Sequence, residues 1–192
     1  MPSTYTTRNG IELIATGEQS GTWGDTTNTN LQIIDRVLSG VGTITLSGTT
    51  HTLTTTDGTL TDGMYKVLVL SGTPSGTNTI TIDPNDAQKL YFVYNNSGES
   101  AVFTQGSGGN VTVANGDSKI IYADGGGAGA VVSDLTANFA MSSVNITGGS
   151  ISGIADLAVA DGGTGASTSA GARANLDVDQ AGTAVALAIA LG

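Results

Sequence analysis

The chain has no cysteine, one histidine and one tryptophan, and only 11% of its 192 residues are charged. Each shortage removes a class of protein. Without cysteine there is no disulfide framework and no thiolate metal site. Six Lys and Arg stand against 16 Asp and Glu, a net charge of −10. The basic residues, Arg8, Arg36, Lys66, Lys89, Lys119 and Arg173, are scattered along the sequence, so no basic run marks a nucleic-acid partner. No apolar run approaches the roughly 20 residues of a membrane-spanning helix, and membrane insertion is not expected. The opening residues, MPSTYTTRNG, lack the basic-then-apolar pattern of a secretion signal, so synthesis in a cytoplasm is the expectation.

Catalytic chemistry is equally thin. His51 lies in HTLTTT, and nothing nearby supplies the nucleophile and orienting acid that a catalytic base needs. Several carboxylates, Asp57, Asp62, Asp117 and Asp124 among them, fall in Asp-Gly or Asn-Gly type turns, where their side chains bond local backbone. Asp57-Gly58 with Asp62-Gly63, or Asp83 to Asp86, could collect oxygens for Ca²⁺, but turn formation explains them. GGGAG (125–129) and GGTG (162–165) lack the lysine and the strand-then-helix setting of a phosphate loop. No catalytic, cofactor-binding or metal-binding residue is assigned, and no enzyme activity is expected.

What the chain has is glycine and threonine, 29 of each. Threonine's branched side chain suits a pleated surface, and glycine supplies the positive φ of tight turns. Strand-like runs separated by turn residues recur at roughly ten-residue spacing over 41–136: VGTITL, HTLTT, MYKVLVL, NTITI, KLYFVY, AVFT, NVTV, KIIYA and GAVV. This rhythm predicts a β-sandwich or jelly-roll-like domain. MYKVLVL and KLYFVY are apolar on both faces, which places them centrally or at a subunit interface. Val69 and Phe92 are expected in the core. Pro74-Ser75-Gly76 reads as a turn between two strands.

The flanks differ. Within residues 1–40, Leu31, Ile33, Ile34, Val37 and Leu38 recur at helical spacing. They predict a short helix over about 29–39, with Thr29 and Gln32 as a capping box, Asp25 as an alternative start and Gly40 as the stop. Trp23, in GTWGDT, precedes it. Trp23, Leu31, Ile34, Val37 and Leu38 are the candidate residues for docking onto a partner, because a helix this short needs a surface to bury against. Residues 137–163 carry isolated apolar residues among Gly, Ser, Asn and Asp, too few for one chain to bury. Three chains wound about an axis could bury them, with Val144, Ile146, Ile151 and Ile154 inward. Over 164–192, ASTSAGARANLDV predicts a helical turn capped by Ser167 or Thr168, and AVALAIAL (184–191) requires a partner surface.

Three stretches together resemble phage tail-fibre proteins, especially those of marine phages. ELIATGEQSGTWGDTTNTNLQIID (12–35) resembles their N-terminal segment, VNITGGSISGI (144–154) their repeated shaft motif, and ADGGTGASTSAGARANLDV (160–178) a junction motif. One departure stands out: such junctions usually run NLG, whereas this chain has Asn175-Leu176-Asp177. The resemblance implies a homotrimeric short or virion-proximal fibre in the tail of a virion, with N-terminal attachment to adaptor, nozzle or baseplate-type tail proteins. A host-surface glycan is the candidate outer partner. The expected organisation is an attachment segment (1–40), a β-sandwich domain (41–136), a glycine-rich trimeric β shaft (137–163) and a C-terminal junction (164–192). Two alternatives come from other classes: a glycan-binding module whose sheet reads the sugar, and a polysaccharide-cleaving tail protein with a carboxylate pair.

Overall fold

A computed structural model describes residues 2–137, 163–166, 168–178 and 183–192. The chain divides into two compact units, Met1–Ala140 and Met141–Gly192. Most of the predicted shaft, including Val144, Ile146, Ile151 and Ile154, lies outside the described residues.

The first unit is mainly β, as its Thr and Gly content predicts. A small antiparallel hairpin of β1 (Thr4–Tyr5) and β2 (Glu12–Leu13) leads into helix α1 (Trp23–Ser39). Seven strands follow: β3 (Val41–Thr54), β4 (Val67–Asp83), β5 (Lys89–Asn95), β6 (Ala101–Thr104), β7 (Val111–Val113), β8 (Ser118–Ala123) and β9 (Val132–Asp134). They form one hydrogen-bonded sheet in the order β7-β6-β4-β5-β8-β9, with β3 on the other edge of β4. The sheet is nearly closed and barrel-like. Three backbone bonds draw its ends together: Ser107 N–H to Ala128 O, Gly108 N–H to Ala130 O and Val132 N–H to Gly109 O.

Four predicted strands merge into two. VGTITL and HTLTT are one strand, β3, and the second half of MYKVLVL runs on to NTITI as β4. The two long strands pair in parallel, with a register shift between Gly48 and Thr50. The Pro74-Ser75-Gly76 turn expected from sequence is therefore a bulge. Its residues are taken up inside β4 between the pairs Gly48↔Pro74 and Thr50↔Thr79. Asn78 fills the bulge and donates to the Ser47 and Gly48 carbonyls. Gly72 cannot be replaced here: its φ is +100°, and a Cβ would strike the Leu46 carbonyl oxygen. Because β4 is so long, its first half pairs with β5 and its second half with β6, both parallel.

The core lies inside this curl, built on Leu46, Leu68, Leu70, Ile80, Tyr91 and Phe103, all with at most 1% exposure. Tyr91 spends its hydroxyl on the Gly63 carbonyl at 2.7 Å. Burial, reinforced by the Asp62 charge, pushes its ionisation far up, so the hydroxyl stays a donor. Along β5 the buried residues are Lys89, Tyr91, Val93 and Asn95, and along β4 they include Leu68 and Leu70. The expectation for Val69 and Phe92 is thus reversed. Both point to the outer face, Phe92 with 42% exposure. A run apolar on both faces carries no parity signal, so the sequence could not choose between them.

In the second unit, α2 (Ser169–Asn175) is capped as predicted: the Thr168 hydroxyl accepts from Gly171 N–H at 3.1 Å. The Asn175 amide ties the helix to the Thr164 and Gly165 carbonyls. Asp177, where the resembling junctions have glycine, takes φ +52°. Asp177 N–H bonds Ala174 O and Val178 N–H bonds Arg173 O, the paired closure of a helix end that normally recruits glycine. The apolar C-terminal run forms α3 (Thr183–Leu191). No described helix is long and apolar enough to cross a membrane.

Candidate functional site: an exposed apolar surface on the helix and the sheet

Helix α1 starts at Trp23 rather than Thr29, so the predicted capping box does not form. A turn built on Gln19 feeds the helix instead. Its carbonyl accepts from the Thr22 and Trp23 N–H groups, and its side-chain oxygen accepts from the Thr22 and Thr26 hydroxyls. Asp25 in the first turn and Arg36 in the last complement the helix dipole. Gly40 ends the helix as expected, because a Cβ there would strike the Arg36 backbone. Trp23 is therefore the first residue of the helix rather than a residue preceding it.

The helix is fastened to the body on one side. The Asn30 amide both donates to Glu12 O and accepts from Glu12 N–H, each at 2.9 Å. Ile33 is fully buried and Val37 half-buried. Arg36 donates to the Thr61 carbonyl and lies 4.5 Å over the Tyr65 ring. The apolar stripe predicted from spacing is really two stripes. Ile33 and Val37 serve the fold, while Trp23, Leu31, Ile34 and Leu38 face outward, Trp23 with 61% exposure and Leu38 with 69%. At 3.6 residues per turn these four fall within roughly 80° of arc. Of the five candidate docking residues, Val37 alone turns toward the body.

A second apolar surface lies beside the helix, on the two runs that the sequence places either centrally or at a subunit interface. Parallel and antiparallel registers align Val41, Val67, Phe92 and Ile120 across four strands, with Val69, Tyr94 and Ser118 aligned next to them. Side chains in register on one face touch. Phe92, Tyr94, Val67 and Ile120 line a shallow depression of about 310 Å³ with Ser118 and Thr136, and the Lys66 ammonium sits 5.9 Å from the Phe92 ring. Leu31, Val41, Leu60 and Tyr65 line a larger depression between helix and sheet, about 560 Å³. The only sequence signal for this surface was the two-faced apolar character of KLYFVY and MYKVLVL.

The lone histidine and its acidic neighbour are occupied structurally. The His51 Nε2 to Asp62 Oδ2 distance is 2.9 Å, and Asp62 Oδ1 accepts from Thr54 N–H, so Asp62 pins the 3-10 turn Asp62–Met64 to β3. Among the described residues no group of three or more His, Cys, Asp or Glu could hold a metal ion. Chemically, the surface can exclude water against another apolar body or stack a ring. No protein-family model, curated protein or solved structure gives a significant match to this chain.

Proposed function

We propose that the chain is a structural, non-enzymatic component of a phage virion. It is a homotrimeric tail fibre or fibre base that docks on other tail proteins through α1 and links the tail to host-surface recognition. The β body would complete a sandwich or jelly-roll-like wrapping, and residues 137–163 would form the shaft. One observation carries the docking role: four large apolar side chains stand exposed on a helix whose other side is already fastened. Exposed apolar residues gathered in one stripe mark an interaction site rather than scatter. The resemblance of 12–35, 144–154 and 160–178, in that order, supports the virion assignment independently.

The test uses variants that leave Ile33 and Asn30 intact. Leu31→Ser with Leu38→Ser should melt as the wild type does, yet be lost from purified virions. Native mass spectrometry of the wild type should give a trimer mass. A folded monomer, or normal virion occupancy of the double variant, refutes the reading. A glycan-binding module is the second reading, favoured by the outward Phe92 and Tyr94 beside Ser118 and Thr136. Sugar binding abolished by Tyr94→Ala would move the function there.

A further inference from the structure

In sequence the six basic residues lie far apart, yet three of them, Arg8, Lys66 and Lys89, line one cavity of about 200 Å³. Among the described residues, no Asp or Glu lines it. The cavity lies where the N-terminal segment covers the end of the barrel, and its remaining walls include Asn9, Tyr65 and Leu90. In a chain this acidic, a concave site lined by three basic residues and by no described carboxylate needs an explanation beyond solubility. Lys89 sharpens it. Only 6% of Lys89 is exposed, and its ammonium donates to the neutral Asn9 side chain at 3.2 Å, its sole protein partner among the described residues. Buried lysines are normally paired with a charge.

We propose that this cavity binds a small oxyanion, the carboxylate, sulfate or phosphate group of a ligand no larger than a single acidic sugar. Lys89 would supply the buried charge and Asn9 would orient it. Arg8, exposed on the rim and bonded to the Gln88 side chain at 2.8 Å, would close over the anion with its planar fork of donors. Lys66 lines the cavity while its ammonium lies 5.9 Å from the outward Phe92 ring, so its charge would act at longer range, and the Tyr65 and Leu90 walls suit the apolar face of a small ring. The assignment is independent of the virion reading, because none of the outward residues of α1 lines the cavity, although Val37 of that helix does. A purely structural Lys89, holding the N-terminal segment through Asn9, is the competing account. It gives Arg8 and Lys66 no reason to share the cavity.

Calorimetric titration of the full chain with inorganic phosphate, sulfate and glucuronate decides the matter. We expect binding of at least one anion at about 1 mM or tighter. Glucuronate binding well beyond phosphate would identify an acidic sugar, and the reverse order a free oxyanion or phosphate ester. Lys89→Met, which preserves the shape of the stem, and Arg8→Gln, at an exposed position, should each weaken binding about tenfold or more. Arg173→Gln, in the second unit, should leave it unchanged. Absence of binding by all three anions overturns the proposal. So does binding that survives in a folded Lys89→Met or Arg8→Gln variant, or that falls equally in Arg173→Gln.

Discussion

The two units handle apolar side chains in opposite ways. In the first, alternation along β5 and along the end portions of β3 and β4 sends every second residue into the interior, and the outward positions are left largely to Thr, Gly and a few large residues. In the second, no described side chain is buried, and Val185, Leu187, Ile189 and Leu191 of α3 are each at least 60% exposed. The first unit is held by what it hides. Helix α2 is held locally, by a threonine cap and a closed C-terminal turn. Helix α1 stands between these extremes: two of its six large apolar residues, Ile33 and Val37, stabilise the barrel-like unit, and the other four are free for something else.

The largest effect should come from testing inside against outside. Leu68→Asp puts a charge into the sealed core and should cost about 4 kcal/mol or more, enough to unfold a marginal domain. Phe92→Asp, on the outer face, should leave a cooperative melt near the wild-type temperature. Equal losses would break the face assignment. The same contrast on α1 is milder. Ile33→Ala should lower stability by about 3 kcal/mol through the cavity it leaves, while Leu38→Ala should move the melting temperature little.

Smaller effects belong to titration. Burial pushes the Asp134 carboxyl up, but bonds from Lys119 and Thr136 outweigh it and hold the group at about 2. A folded-state value below the ordinary 3.8 means stability present above that pH and lost as pH falls toward 2. Asp134→Asn should flatten the acid limb of a melting-temperature profile. Burial lowers Lys89 from 10.5 to about 8. The folded state then sheds its proton first, so stability should rise as pH climbs from about 8 toward 10.5. Lys89→Met should remove that rise. The smallest change is expected at Asp177. Glycine tolerates positive φ without cost, so Asp177→Gly should firm the end of α2 by about 1 kcal/mol, read as slower amide exchange at Val178.

Much of this was legible in the sequence because it is local. The β character, the extents of β5 and β6, the stop at Gly40 and the Thr168 cap all follow from neighbouring residues. The long-range features did not show. The fusion of four predicted strands into β3 and β4 depends on pairing between distant segments, which turns PSGT from a turn into a bulge. The outward direction of Phe92 depends on parity, which a continuous apolar run erases. The helix start at Trp23 depends on Gln19, a residue with no capping signature of its own. The cluster of Arg8, Lys66 and Lys89 spans some 80 positions, so even spacing along the chain concealed convergence in space.

The shift at Gly48 bears on how molecules of this kind avoid sticking to each other. Strand β3 pairs with β4 alone, so its far side offers a row of unpaired backbone groups, the kind of template that recruits neighbouring chains into aggregates. A straight edge of that length, rich in β-formers, would be hazardous at the concentrations reached when many copies are made at once. Gly48, at φ +60°, breaks the edge into two shorter runs, Val41–Gly48 and Thr50–Thr54, which no single straight strand can follow. Two glycines on facing strands thus act as a guard: Gly72, paired with Leu46, lets the strands approach just ahead of the kink, and Gly48 denies an incoming strand the same path.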